Sequence, residues 1–235
     1  MSQAIDFYDL PCKYEGVPWN PETLKTRFTL KYKGLSFETI WVEFPNIEAT
    51  CKKIGAPPSS TKADGTPLYT FPVIHDPNTG ASLSDSLLIA EYLDKTYPST
   101  PRVIPAGTYA LQAAFVDALE SKLGAFYTIM LPIVTWGLNK PSEDYHRQLV
   151  VRLTGATVEE MYPKEDKIEE MDGYKKEDEF VMGDVVSLAD FGLGGLLLTC
   201  KVFLGDDNKD WKRIAGWHDG RWEKLLKGLE KHRLI

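Results

Sequence analysis

Three short stretches of this sequence place recognising groups where a helix or strand begins. The first is Trp19-Asn20-Pro21. Proline fits the first turn of a helix, where a missing N–H costs nothing. Asn20 therefore stands at a helix start, either as a plain N-cap or as an amide donor to something outside. The second is Thr70-Phe71-Pro72-Val73. The bond before this proline is either an ordinary trans start to a strand or a cis bond that turns the chain. The third is Ser84-Asp85-Ser86-Leu87-Leu88. A helix N-terminus has unpaired N–H groups and a partial positive charge, so it draws carboxylates. Ser84 or Asp85 can supply one of its own as a cap. Tyr8 and Cys12 lie nearby in sequence. Tyr8 reads either as a polar group able to meet a ligand or as aromatic core packing, and Cys12 as a thiol without a proline after it at the helix start.

Other patterns carry less chemistry. His75, His146, His218 and His232 show no metal-ligand spacing with cysteine or carboxylate, so no metal is expected. Phe191-Gly192-Leu193-Gly194-Gly195 lies inside an apolar helical run, where glycines allow close helix packing rather than form a dinucleotide loop. Ser187 and Asp190 have capping-box spacing, a folding device. No Gly-x-Ser-x-Gly elbow occurs.

The elements that must position these groups follow from periodicity and punctuation. Residues 4–10 read as a strand and 21–32 as a helix stopping near Gly34. Residues 37–42 alternate like a second strand, and a short helix covers 47–54. Residues 71–75 and 81–83 read as strands joined by a turn at Asp76-Pro77-Asn78-Thr79-Gly80, and a helix opens at Asp85. This order fits a compact four-stranded α/β unit over residues 1–96. The prolines of residues 97–106 mark a linker. Residues 107–235 show no convincing strand; 108–136, 142–162 and 187–204 have helical apolar spacing, with Leu111, Phe115, Leu119, Leu123, Phe126 and Met130 on the first of them. The charged stretch 164–179 reads as a solvated face.

Composition narrows the function classes. The 235 residues carry a formal net charge of −7, with 43% hydrophobic and 26% charged residues, as in ordinary globular proteins. Nucleic-acid binding needs a positive field, so it is set aside. No apolar run reaches the roughly 18 residues of a membrane span. Cys12, Cys51 and Cys200 are sparse and contain no CxxC, which points to a reducing compartment, with the cytoplasm as the default.

The order of elements and three of these motifs together resemble the cytosolic glutathione transferases, over nearly the whole chain. The motifs are Phe71-Pro72-Val73, Ser84-Asp85-Ser86-Leu87-Leu88-Ile89-Ala90-Glu91-Tyr92-Leu93 and Ser187-Leu188-Ala189-Asp190-Phe191. Residues 19–27, with Tyr32-Lys33-Gly34-Leu35 and Lys53-Ile54-Gly55-Ala56-Pro57-Pro58, look most like the fungal FuA class, related to bacterial lignin-ether-cleaving enzymes.

The resemblance implies a thioredoxin-like domain followed by an all-helical domain, and a glutathione site. Pro72 would be cis, Phe71 would expose its backbone, and Val73 would exchange backbone hydrogen bonds with the cysteinyl unit of the peptide. Ser86 would take the γ-glutamyl carboxylate, and Asp85 the γ-glutamyl ammonium. Related classes lower the pKa of the thiol with Tyr, Ser or Cys near the first helix. Here Asn20 holds the position directly before the proline, which departs from the expected serine and puts strong conjugation in question. Tyr8 is the tyrosine-type alternative, and Cys12 would instead make mixed disulfides. Apolar or aromatic electrophiles, among them wood- or lignin-derived phenolics, would meet Trp19, Phe126, Tyr127 and Met130. Detoxification is the expected role, with a polyphenol-binding ligandin as the alternative. The resemblance also implies a homodimer.

Overall fold

The computed structural model describes residues 3–163 and 179–235, and the charged stretch 164–178 lies outside the described residues. The first layer is a four-stranded sheet built from β1 (Ile5–Asp9), β2 (Phe37–Trp41), β5 (Val73–Asp76) and β6 (Ala81–Ser84), in the order β2-β1-β5-β6. Strand β2 runs parallel to β1, whereas β5 and β6 alternate antiparallel. A separate hairpin of β3 (Ser60–Thr61) and β4 (Pro67–Leu68), absent from the sequence reading, precedes β5 in the chain. Its strands are too short to show any period.

Helix α1 (Pro21–Tyr32) crosses from β1 to β2. A 3₁₀ turn, Phe44–Asn46, leads into α2 (Ile47–Lys53), and α3 (Ser86–Thr96) follows β6. Strand alternation splits the packing. Phe7 and Ile74 join Leu30, Ile89 and Leu93 on one side of the sheet, while Tyr8 and Val73 belong to the larger core shared with the helical half.

Residues 97–106 are fastened to the elements on either side. Asp94 on α3 accepts from the backbone N–H groups of Val103 and Ile104 and forms a buried ion pair with Lys33 at 2.8 Å. The same Lys33 Nζ donates to Pro101 O. Val103 O in turn accepts from Leu188 N at the start of α8.

The second half contains α4 (Tyr109–Lys122), α5 (Gly124–Gly137), α6 (Lys140–Thr154), α7 (Val158–Met161), α8 (Leu188–Leu204) and α9 (Lys209–Lys231). The run expected over 108–136 is therefore two helices, interrupted at Leu123. Leu111 departs from the expected stripe and is 57% exposed, whereas Leu119, Leu123, Phe126 and Met130 are buried. Helix α9 went unread in the sequence. Charged residues and Gly216, Gly220 and Gly228 interrupt its apolar run, and the chain leaves helical geometry at Trp217–Gly220. Its buried Trp211, Ile214, Trp222, Leu225, Leu226 and Leu229 nonetheless recur at helical spacing, a signal that could have found it.

Helix α8 is the buried centre of this half. At its start the Asp190 carboxylate accepts from the Ser187 backbone N–H and hydroxyl, both at 2.9 Å, and from Val181 N at 2.7 Å. The glycines of its first turns serve contact, as the sequence suggested. A Cβ on Gly195 would stand 2.9 Å from Pro21 O and 3.4 Å from Leu24 Cβ, so only glycine lets α8 lie this close to α1.

Candidate functional site

Strand directions bring the three sequence motifs to one end of the sheet. Strand β1 ends there, at Asp9. Because β5 is antiparallel to β1, it begins there, and because β6 is antiparallel to β5, it ends there. The loop from β1 leads to Asn20 at the start of α1. The register Val73↔Ser84 continues to Pro72 beside Asp85. The ends of two helices, α1 and α3, thus face the same region with their positive poles.

At α1, the Asn20 side chain is an N-cap. Its Oδ1 accepts from Glu22 N at 3.0 Å and Thr23 N at 3.1 Å. Both partners are N–H donors, so the amide oxygen must be the atom turned toward the helix, and Nδ2 is turned away from it. Neither Nδ2 nor the Asn20 backbone N–H has a partner among the described residues. The cap therefore uses only the acceptor of this residue and leaves two donors.

At β5, the Phe71–Pro72 peptide bond is cis. Val73 is fully buried and stands between β1 and β6, opposite Tyr8 on one side and Ser84 on the other. That position corrects its expected role, because both edges of the strand are already taken there. The free backbone belongs to Phe71, whose N–H and C=O have no partner among the described residues. Thr70 is held beside it by a 2.7 Å hydrogen bond between its hydroxyl and that of Ser59, which also donates to Leu68 O.

At α3, Asp85 takes the cap position at φ 79°, a left-handed backbone that a residue with a Cβ seldom adopts. Its Oδ1 accepts from Leu87 N and Leu88 N, both at 2.9 Å. The Asp85 side chain is exposed, and its second oxygen is unengaged among the described residues. Ser84 is buried and donates to Pro57 O, so it anchors the loop rather than capping the helix. That leaves the Ser86 N–H and hydroxyl without partners among the described residues. A carboxylate acceptor next to two free donors at a positive helix end suits a zwitterionic α-amino acid head.

The alternative thiol-contact residues are less suited. Burial, then the nearby Asp6 carboxylate, pushes the Tyr8 hydroxyl above its usual range, which weakens it as a donor. Its ring packs on Phe71 with centroids 6.2 Å apart. Cys12 is buried with Sγ 3.5 Å from Tyr14 O, and burial raises its pKa too. A thiol held protonated is a poor nucleophile.

The expected apolar ligand residues are mostly core. Trp19 is only 1% exposed, wedged between Phe203 and Phe44 with centroids at 5.3 and 6.4 Å. Phe126 and Met130 are buried inside the helical half, and Phe126 lines a small apolar cavity with Leu197, Ile214 and Trp222. Helical spacing marks an apolar face, and here that face meets other helices instead of a cleft. Tyr127 is half-buried.

Sequence reasoning also missed one border of the site. Strand β2 ends at the same end of the sheet, and the chain after it is clasped to α6. Glu43 accepts from Asn139 Nδ2 at 2.9 Å and from the Ser142 hydroxyl, and Phe44 N donates to Ser142 Oγ. The Phe44 ring stacks on Tyr145 and tilts against His146. Nothing in local sequence pairs residues about a hundred positions apart.

Among the described residues, no group of three or more His, Cys, Asp or Glu side chains could hold a metal ion, and no helix is long and apolar enough to cross a membrane.

Comparison with known proteins gives one consistent result. A family model described as the glutathione S-transferase N-terminal domain matches residues 19–96, and one described as the glutathione S-transferase C-terminal domain matches residues 110–232. The chain superposes on the crystal structure of glutathione transferase GSTFuA3 from Phanerochaete chrysosporium with a TM-score of 0.90 and 36% identity, covering 99% of this chain and 98% of that one. It superposes on the glutathione S-transferase CsGST63524 of Ceriporiopsis subvermispora, solved in complex with glutathione, with a TM-score of 0.89 and 39% identity, covering 99% of each chain. A curated relative, the glutathione S-transferase-like protein ustS of Aspergillus flavus, is 27% identical over 172 residues; the match spans 69% of this chain and 61% of that relative's length.

Proposed function

The chain belongs to the glutathione S-transferase family, and from that premise we propose that it binds glutathione at the sheet end described above and transfers it to apolar or aromatic electrophiles. The observation that carries this reading is the set of unpartnered polar groups at that one end. They are the Phe71 backbone, the second oxygen of Asp85, the N–H and hydroxyl of Ser86, and the two donors of Asn20.

Each group has a counterpart on the peptide. The γ-glutamyl carboxylate takes the Ser86 N–H and hydroxyl at the positive end of α3, and the ammonium takes the Asp85 carboxylate. The cysteinyl backbone pairs with Phe71 as an added strand would. The sulfur then lies toward the start of α1. A free thiol has a pKa near 8.5, so only a few per cent is thiolate at neutral pH. Asn20 Nδ2 and N–H, with the α1 dipole, stabilise the thiolate. Its sulfur attacks the electrophilic carbon, a carbon–sulfur bond forms, and the leaving group departs with the bonding pair. Holding both reactants in one cleft supplies much of the acceleration.

A second reading keeps binding without turnover. It is favoured by one observation: Asn20 offers an amide and no acidic hydroxyl or thiol, and half of that amide is spent on the cap. On that reading the protein holds wood- or lignin-derived phenolics beside glutathione. Assays with a panel of aromatic electrophiles distinguish the two readings. Saturable, glutathione-dependent turnover supports transfer. Intact glutathione binding with no turnover, and thermal stabilisation by phenolics, supports the ligandin. A cytoplasmic homodimer, divided at residues 97–106, completes the proposal.

A further inference from the structure

The backbone on both sides of Asn20 is held by the helical half of the molecule. On the preceding side, the Trp19 carbonyl accepts a hydrogen bond from the Thr199 hydroxyl on α8. On the following side, Pro21 O sits where a Cβ on Gly195 would come within 2.9 Å, so α8 presses against the first residue of α1. Thr199 and Gly195 are one turn apart, and the Thr199 hydroxyl also lies 2.8 Å from Gly195 O. Thr199 is completely buried, in a helix made mostly of apolar residues. Its proton is shared between a carbonyl of its own helix and one from the other half of the chain.

From this arrangement we infer that Thr199 is a positioning residue for the thiolate-binding donors of Asn20, acting through the Trp19–Asn20 peptide, with Gly195 setting the distance. The inference rests on the glutathione reading above and assigns to α8 a role in it. Two physical effects act together. A hydrogen bond to the Trp19 carbonyl fixes the plane of the peptide whose N–H belongs to Asn20, and so fixes where that N–H and the Asn20 side chain point. The same bond polarises the peptide, so that its N–H becomes a stronger donor, as in any chain of hydrogen bonds. The donor side of Asn20 is therefore built from both halves of the protein: α1 orients the side chain through its cap, and α8 orients the peptide.

The test reads the ionisation of bound glutathione, followed by thiolate ultraviolet absorbance against pH, with the pH profile of turnover beside it wherever turnover is measurable. Asn20→Asp keeps the capping oxygen and removes the Nδ2 donor. It is expected to raise the bound-thiol pKa by about one unit or more, because the lost hydrogen bond to a charged group and the negative charge placed beside the sulfur act in the same direction. Thr199→Val keeps shape and removes only the hydroxyl. It is expected to raise the same pKa by about half a unit through the loss of one polarised, oriented donor. Thr199→Ser should restore the wild-type value. Gly195→Ala, which must displace the first turn of α1, should shift it in the same direction as Thr199→Val, and it serves as the test should the valine variant not fold. Glutathione affinity should fall by no more than the roughly threefold that a half-unit shift in thiol ionisation entails in the Thr199→Val and Gly195→Ala variants, since Phe71, Asp85 and Ser86 are untouched. A merely structural role would lower thermal stability and leave the ionisation of bound thiol unchanged. If Asn20→Asp raises the pKa while Thr199→Val and Gly195→Ala leave it in place, the positioning role is overturned and the place of Asn20 beside the sulfur stands. If Asn20→Asp itself has no effect, the Asn20 reading fails and the positioning role falls with it.

Discussion

Lowering the pH from about 7 to 5 should lower the stability of the fold through a single side chain, His146, which sits at the clasp between the two halves of the molecule. This imidazole is 6% exposed, and burial drives its pKa from 6.5 down to about 4. Its tautomer follows from its partner. Thr135 Oγ1 lies 2.7 Å from Leu131 O, which can only accept, so the hydroxyl proton is spent there. The 2.7 Å contact between Thr135 Oγ1 and His146 Nδ1 therefore has Nδ1–H as the donor, and Nε2 carries no proton. Acid must protonate Nε2 inside the protein, beside the Phe44 ring. The unfolded chain accepts that proton near pH 6.5, while the folded chain resists it until about pH 4. The unfolded state therefore binds more protons between these limits. Stability from this group is present above 6.5 and is lost as pH falls toward 4. At 1.36 kcal/mol per unit the whole interval is worth about 3 kcal/mol, of which about 2 kcal/mol falls between pH 7 and 5. For a chain of this size that corresponds to a loss of roughly 4–8 °C in melting temperature. Denaturation of wild type and His146→Asn at the two pH values checks it. Asparagine presents an amide where Nδ1 stood and cannot titrate. Carboxylates common to both proteins cancel in the difference. The variant should lose about 2 kcal/mol less than wild type on acidification; equal losses would refute the assignment of the acid sensitivity to His146.

Two further expectations concern buried groups. Lys33→Met or Asp94→Asn alone should cost about 3–5 kcal/mol, because each leaves its buried partner uncompensated and frees the linker from α3. Replacing both residues with apolar side chains should recover a large part of this in calorimetric melts, and a loss under about 1 kcal/mol for the single variants would remove the ion pair as the linker's anchor. Cys12, Cys51 and Cys200 are all buried; burial pushes the Cys51 thiol to about 11 and that of Cys200 to about 12, and raises Cys12 as well. A disulfide reagent at neutral pH should label the native protein far more slowly than the denatured one, and rapid native labelling at Cys12 would reinstate it as a nucleophile.

Much of the first half was legible because punctuation in the sequence coincides with chain reversals: Pro21 opens α1, Gly34 follows its end, and the turn at Asp76–Gly80 joins β5 to β6. The helix start at Asp85–Ser86 was legible for the same reason. What failed to show in the sequence depends on neighbours rather than on local pattern. Whether Val73 or Phe71 keeps a free backbone is decided by strand order, which puts β1 and β6 on either side of Val73. Whether Trp19, Phe126 and Met130 meet a ligand or a core is decided by which helices pack against them, and period alone reports only that a face is apolar.

Asn20 shows why two readings of one residue need not compete. As an N-cap it needs only an acceptor, and as a partner for a thiolate it needs only a donor. A serine hydroxyl can also accept from the helix and donate to sulfur, but it does both through one oxygen atom. The asparagine amide divides the tasks between two atoms held in a rigid plane, so once Oδ1 is fixed on Glu22 N and Thr23 N the direction of Nδ2 is fixed as well. On the proposed role, what the amide lacks in acidity would be offset in part by orientation, and that orientation depends on the backbone of residues 19–21. The backbone is held from outside the first half, by Thr199 and Gly195. An asparagine at this position is therefore compatible with a working thiolate site only in so far as α8 keeps its close seat on α1.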